Sequence, residues 1–224
     1  MRMTPPESGR GFLFPDKRTD EMKIFGVGMN YLAHTKELDG RDYIPEDPVI
    51  FTKTDSALVT GGKPFFLPDY TERCDYEAEL VVRISHMGRS IPERFAHRYY
   101  EEVTVGIDFT ARDLQERLRA KGLPWDLCKG FDGSAVVGEF VKLDGDVQNL
   151  HFSLEKNGVE VQRGWTGDMI YGIDKLISFI SKYFTIKTGD LIFTGTPVGV
   201  GPVEIDDHLD GYLEGNKILS FNVK

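Results

Sequence analysis

Nine consecutive residues, Cys74-Asp75-Tyr76-Glu77-Ala78-Glu79-Leu80-Val81-Val82, constrain this chain more than any other stretch. Leu80, Val81 and Val82 read as a strand running into a core, yet Glu77 and Glu79 stand two apart just before them. Side chains alternate along a strand, so both carboxylates project from one face, about 7 Å apart along the chain. Held like that they repel, and one is driven towards its protonated form unless a cation lies between them. A third acid, Asp108, closes another apolar run, Val103-Thr104-Val105-Gly106-Ile107. Three hard oxygen donors with no nearby His or Cys pair suit Mg²⁺ or Mn²⁺ better than zinc. The spacing of Glu77 and Glu79 fits equally well a pair of edge-strand charges that discourage aggregation, and spacing alone leaves both readings open.

Strand signals dominate the rest. Lys23–Gly28, Pro48–Lys53, Glu77–Ile84, Val103–Phe109, Ala135–Leu143 and Asp190–Thr194 are short and rich in β-branched or aromatic residues. Asn157-Gly158 between Leu150–Lys156 and Val159–Arg163 predicts a hairpin, and Gly211–Leu213 with Lys217–Val223 around Glu214-Gly215-Asn216 predicts a second. Helices are fewer. Ile173, Leu176, Ile177, Ile180 and Phe184 form one apolar stripe over Ile173–Phe184. Ser90 with Pro92 predicts a capped helix to about Tyr100, Ala111–Lys121 a charged helix ended by Gly122, and Asn30–Leu38 a short one. Strands outnumber helices without regular βαβ alternation, which predicts a β-rich α+β fold.

A chain of 224 residues with 27 Lys plus Arg against 36 Asp plus Glu has a formal charge of -9. That balance argues against duplex nucleic acid and polybasic membrane binding, both of which need clustered positive charge. No apolar run approaches a membrane span. Two cysteines, Cys74 and Cys128, are too few for a disulfide framework and point to reduced thiols and a cytoplasmic protein. Residues 1–21 carry four basic and four acidic side chains and no apolar segment, a poor targeting sequence. They are expected to be an extension outside a single catalytic domain spanning 22–224. Gly26-Val27-Gly28 lacks the third glycine of a dinucleotide fingerprint, and Cys128 has no evident triad partner.

Four motifs occur in a recognisable order: Gly26-Val27-Gly28-Met29-Asn30-Tyr31-Leu32-Ala33-His34, Tyr76-Glu77-Ala78-Glu79-Leu80, Gly106-Ile107-Asp108-Phe109-Thr110-Ala111-Arg112-Asp113 and Thr194-Gly195-Thr196-Pro197. In this the chain, from about Met22 to Lys224, resembles the fumarylacetoacetate hydrolase family, most closely its short acylpyruvate hydrolase and oxaloacetate decarboxylase members. The resemblance implies a mixed β-sandwich roll, a homodimer, and a divalent-metal triad of Glu77, Glu79 and Asp108. It implies Mg²⁺-dependent cleavage of a C–C bond in small 2-oxo acids, by acylpyruvate hydrolysis or oxaloacetate decarboxylation, through a pyruvate enolate. Isomerases and decarboxylases of aromatic catabolism and tautomerases of oxaloacetate share the triad, so the triad does not choose among them. A non-catalytic metal-binding scaffold is the contrasting class.

Further residues gain roles from that resemblance. Lys129, in the glycine-rich Trp125–Gly133 segment, reads alone as an ordinary lysine; the family places a substrate-side lysine here, a compact cation for a developing enolate. His34 and Glu37 are i, i+3 and face the same way on a helical turn, so Glu37 is able to orient His34 as a general base. In hydrolytic relatives this spacing is a water-activating pair on a lid, here continued by Asp39-Gly40-Arg41-Asp42-Tyr43. Gln115 and Arg112 follow Asp108 where similar proteins hold a substrate carboxylate, Arg112 fitting equally an ion pair with Asp113 or Glu116. The Thr194–Pro202 loop is expected to offer backbone N–H groups and the Thr196 hydroxyl to an anion.

Overall fold

Alternating apolar residues need a partner surface, and the strand Ala78–Ile84 finds it at the centre of the molecule, buried at every position but Arg83. The structure, a computed structural model, describes residues 22–40 and 43–224. The extension expected over residues 1–21, and Arg41 and Asp42 of the expected lid, lie outside the described residues.

Ala78–Ile84 pairs antiparallel with Tyr100–Asp108, and this hairpin is the middle of an eight-stranded mixed sheet. On one side follow Leu191–Phe193, Ile24–Gly28, which runs parallel to it, and Val49–Lys53. On the other come Ala135–Val137 and Leu58–Val59, with Val141–Lys142 pairing the far end of Tyr100–Asp108. A four-stranded antiparallel sheet packs against it, ordered Val159–Trp165, His151–Lys156, His208–Leu213, Asn216–Asn222. Phe65, Phe109, Phe152, Phe221, Leu80 and Leu154 fill the core. Both expected hairpins are present, with positive φ at Asn157 and Gly158 and at Glu214 and Gly215, the two-residue turns that match strand twist. The result is the β-rich α+β architecture the strand signals predicted.

Among the described residues four α-helices complete the fold: α1 (Leu32–Asp39), α2 (Arg112–Ala120), α3 (Asp126–Lys129) and α4 (Ile173–Tyr183). In α4, Ile173, Leu176, Ile177 and Ile180 are buried as the stripe required, but Phe184 lies beyond the helix and is 40% exposed. Two expectations are corrected. Ser90 caps no helix: its N–H donates to Ser181 O at 2.7 Å, its φ is +52°, and only a short 3₁₀ segment, Glu93–Arg98, follows Pro92. Ala135–Leu143 is two strands rather than one, interrupted at Gly138, where a side-chain Cβ would fall 2.4 Å from the Ile218 carbonyl oxygen.

Candidate active site

Sheet register assembles the acids. Glu77 sits at the break between the strands Cys74–Tyr76 and Ala78–Ile84, and its carbonyl accepts the Asp108 N–H at 2.8 Å. Glu79, one pleat on, lies opposite Gly106. One oxygen from each of Glu77, Glu79 and Asp108 falls within 4.8 Å of the others, and all three residues are buried. An octahedral oxygen shell at about 2.0–2.1 Å spaces its ligands roughly 3–4 Å apart, so small side-chain adjustments would bring the three onto one ion. Asp108 Oδ1 adds to the fit: it is buried, 2.6 Å from Lys53 Nζ in an orientation that makes an ion pair but no hydrogen bond. The edge-strand alternative for Glu77 and Glu79 is thereby excluded, since neither is at an edge or in solvent.

The acids are held by three buried cations. Lys129 Nζ donates to Glu77 Oε2 at 2.6 Å, Asp108 Oδ2 at 2.7 Å and Thr110 Oγ1 at 2.7 Å. Arg112 donates through Nε to Asp75 at 2.8 Å, through Nη2 to Glu77 at 2.5 Å and through Nη1 to Gln115 Oε1 at 2.5 Å. Lys53 Nζ reaches Ser134 Oγ at 3.0 Å and the Lys129 carbonyl besides Asp108. Burial works to raise the Glu77 carboxyl, but Lys129 and Arg112 outweigh it and hold the group well below the usual carboxylate range. Burial and the neighbouring Asp108 carry Glu79 the other way. Four buried carboxyl groups, Asp75, Glu77, Glu79 and Asp108, thus face three buried basic side chains, with Glu79 carried towards its neutral form while no cation lies beside it.

His34 and Glu37, both on α1, meet as their spacing predicted, with His34 Nδ1 3.1 Å from Glu37 Oε2. An ionised carboxylate has no proton to give, so Nδ1 carries the hydrogen and Nε2 is the basic atom. His34 is among the residues lining the pocket above the acids, with Thr35, Arg112, Gln115, Arg119, Lys129, Thr196 and an apolar wall of Val27, Met29, Phe51 and Trp125.

Three expected roles change in detail. Arg112 pairs with Asp75 and Glu77 rather than Asp113 or Glu116, and each of its three nitrogens donates one hydrogen bond within the protein, so it buttresses the acids while still lining the pocket. Gln115 turns Oε1 towards Arg112, which leaves its amide N–H₂ as the end able to meet an anion. Thr196 lines the pocket, but its hydroxyl donates to Ala78 O at 2.9 Å and accepts from Gln162 Nε2 at 2.9 Å. The loop it sits on uses its N–H groups on the protein's own acids: Gly195 N–H on Glu79 at 2.7 Å, Gly199 N–H on Glu37 at 3.0 Å. Lys53, Asp75 and Ser134 were not foreseen. Asp75 had a signal, since it shares the strand face of Glu77 and Glu79; Lys53 had none, being a terminal strand lysine like many that reach solvent.

Residues 23–221 match the fumarylacetoacetate (FAA) hydrolase C-terminal family. The chain belongs to the fumarylacetoacetate hydrolase family. It is 40% identical over 203 residues to the oxaloacetate tautomerase FAHD1, mitochondrial, of Mus musculus, covering 90% of this chain and 91% of that protein. The oxaloacetate tautomerase YcgM of Escherichia coli is 37% identical, covering 88% of this chain and 91% of the relative. Among solved structures, fumarylpyruvate hydrolase from Pseudomonas aeruginosa in complex with Mn²⁺ and pyruvate superposes with a TM-score of 0.85 at 35% identity, over 91% of this chain and 89% of that one. The expected family and its fold therefore hold. Among the described residues no helix is long and apolar enough to cross a membrane.

Proposed function

We propose that this protein is a divalent-metal-dependent enzyme that moves a proton at C3 of a small 2-oxo acid, interconverting the keto and enol forms of oxaloacetate-type substrates. The observation that carries the reading is a single one: a histidine whose free nitrogen is set by Glu37, lining a pocket floored by three acids able to share an ion. The oxaloacetate tautomerases at 37–40% identity support it. A bound Mg²⁺ or Mn²⁺ supplies Lewis-acid polarisation of the 2-oxo group. Glu77, Glu79 and Asp108 would hold that ion, and Lys129 and Arg112 keep Glu77 ionised for it. Gln115 orients the substrate through its amide N–H. Lys129 places positive charge beside the 2-oxo oxygen as negative charge develops there. His34 Nε2 takes the C3 proton and returns it to the neighbouring oxygen.

The His34–Glu37 pair also favours a second reaction, hydrolysis of the C–C bond of an acylpyruvate, in which Nε2 takes its proton from water instead. The fumarylpyruvate hydrolase at 35% identity supports this. Two buried unpaired thiols support a reducing compartment, which we take to be the cytoplasm. The homodimer rests on family resemblance, and a solution mass tests it.

The experiment is a panel of oxaloacetate, acetylpyruvate and fumarylpyruvate with Mg²⁺ or Mn²⁺ and with chelator, following enol absorbance and pyruvate. Turnover should vanish with chelator and fall by about 10²–10⁴-fold in His34→Ala. Turnover indifferent to both would overturn the mechanism, and no turnover of any substrate would favour the scaffold class.

A further inference from the structure

We infer that Gln162, on the strand Val159–Trp165 of the second sheet, is a positioning residue for the ion. It holds Glu77 and Glu79 at chelating separation through the peptide groups of Ala78, the residue between them. This rests on the metal site in the function proposed above. The first ground is where the sheet ends. Ala78–Ile84 pairs with Tyr100–Asp108 along one edge, where the Glu77 carbonyl accepts the Asp108 N–H. Along the other edge its pairing with Leu191–Phe193 stops at Val81, and Leu80 O is met by the N–H and the hydroxyl of Thr194. Ala78 lies beyond that last pair. Alternation turns its N–H and C=O away from Tyr100–Asp108, so in this buried setting both need partners from outside the ladder.

Two side chains supply them. Gln162 Oε1 accepts the Ala78 N–H at 2.9 Å, and Thr196 Oγ1 donates to Ala78 O at 2.9 Å. Gln162 Nε2 then donates to Thr196 Oγ1 at 2.9 Å and to Pro197 O at 3.0 Å. These bonds close a ring with a fixed direction: side-chain amide to hydroxyl, hydroxyl to carbonyl, peptide N–H back to the amide oxygen. Only one orientation of the Gln162 amide serves, because Pro197 O needs its N–H₂ end and the Ala78 N–H needs its oxygen. Gln162, Ala78 and Thr196 are all buried, so a broken ring leaves polar groups without water to replace the lost partner. The N–H belongs to the peptide joining Glu77 to Ala78, and the C=O to the peptide joining Ala78 to Glu79. The ring therefore fixes the two peptide planes from which the two carboxylates spring. Gly195, on the same loop as Thr196, holds the far end of Glu79 through its N–H at 2.7 Å. Lys129 and Arg112 set the charge of Glu77; Gln162 sets the spacing of the pair, and a small octahedral ion demands near-ideal ligand positions.

The test reads ion binding without turnover, on variants that circular dichroism shows to be folded. Gln162→Met keeps the length of the side chain and opens the ring. Its Mn²⁺ affinity by calorimetry should fall about 10–100-fold, the usual cost of losing a group that orients a ligand. The electron paramagnetic resonance spectrum of the bound Mn²⁺ should broaden as the ligand geometry relaxes. Thr196→Val opens the same ring on its other side and should weaken Mn²⁺ comparably, whereas Thr196→Ser keeps the hydroxyl and should stay within about twofold of the unmodified protein. Because the ring acts as a unit, Gln162→Met combined with Thr196→Val should lose little more than the larger single loss. Lower urea stability of Gln162→Met with Mn²⁺ affinity and spectrum unchanged would make Gln162 a tie between the two sheets and overturn the inference, leaving the functional reading in place. Fully additive losses would overturn it too. Should Gln162→Met not fold, the contrast between Thr196→Val and Thr196→Ser decides, and equal affinities for the two count against the ring. Failure of the unmodified protein to bind Mn²⁺ would bring down the functional reading, and this inference with it.

Discussion

The acidic floor of the site and the helix that brings His34 to it are built in opposite ways. The floor stands on the central hairpin, where register fixes each acid and a buried cation lies within 2.5–2.8 Å of Asp75, Glu77 and Asp108. Helix α1 has eight residues, no side-chain cap at its N-terminus, and Glu37 partly in solvent, its carboxylate reaching Gly199 N–H. The floor is pinned by several buried ion pairs, whereas Glu37 on α1 makes its bonds partly in solvent. Such a division suits an enzyme whose ion site stays constant while the proton carrier is free to close over different substrates.

The largest effect should come from breaking the floor. Glu77→Ala leaves Lys129 and Arg112 each short of a counter-charge in a buried setting, a loss on the order of 3–5 kcal/mol. Urea unfolding should read that loss, and calorimetry should show Mn²⁺ affinity down at least about 100-fold, given one ligand of three removed. His34→Ala, by contrast, should leave both nearly unchanged. Equal damage from the two variants would erase the distinction between floor and helix.

Water exclusion at the floor is testable through its thiols. Cys74 and Cys128 are buried; burial, with Asp75 adding, pushes the first up to about 12, and burial opposed by Lys129 pushes the second up to about 11. An ordinary thiol titrates near about 8.5, so the folded protein keeps protons the unfolded chain gives up. Their contribution to stability is therefore complete below about 8.5 and is lost as pH rises towards 11–12. Iodoacetamide at pH 8.5 should alkylate the native protein at least about 100-fold more slowly than the denatured chain. Rapid native alkylation would mean that the floor opens to water as readily as α1 moves.

Where floor and helix meet, Gly195 is required. Its φ is +101°, its N–H holds Glu79, and a Cβ there would lie 2.7 Å from Asn30 Cβ, just before α1. Gly195→Ala should cost about 1–3 kcal/mol in chemical unfolding and weaken Mn²⁺ binding through Glu79, with a smaller effect than Glu77→Ala. A neutral outcome would show that the loop yields.

What was legible in the chain follows the same division. Period-two alternation put Glu77 and Glu79 on one face but fitted edge-strand charges equally; the triad with Asp108 was legible only through the ordered family motifs, and burial of all three removes the edge-strand alternative. His34 and Glu37 could be read because i, i+3 spacing is local. The compensating cations were harder. Lys53 and Asp108 are far apart in sequence, and Val49–Lys53 is an edge strand four places from Tyr100–Asp108 in the sheet, so only the curl of the sheet brings the lysine onto Asp108. Thr196 was placed in the pocket correctly, but its hydroxyl bonds depend on Gln162 from the other sheet, a long-range partner no local pattern announces. Ser90 misled for the same reason: a good capping residue was drawn off by the Ser181 carbonyl at the end of α4.

The smallest predicted effect isolates the tether itself. Glu37 reaches Gly199 N–H at 3.0 Å and His34 Nδ1 at 3.1 Å, so one carboxylate both orients the histidine and fastens α1 to the Thr194–Pro202 loop. Glu37→Gln keeps the shape and a carbonyl acceptor but removes the charge. The side chain is partly exposed and solvent screens it, so the stability change should be only about 0.5–1 kcal/mol. The local consequence should be clearer than the global one: the Gly199 amide should exchange with deuterium several-fold faster while amides of the central hairpin keep their protection. Because a glutamine can offer N–H as well as C=O, it no longer dictates which histidine nitrogen holds the proton, and the pH profile of turnover should shift even where stability does not. If Gly199 exchange and the pH profile both stay as they were, α1 is held by contacts other than Glu37, and the contrast with the floor narrows to one of exposure alone.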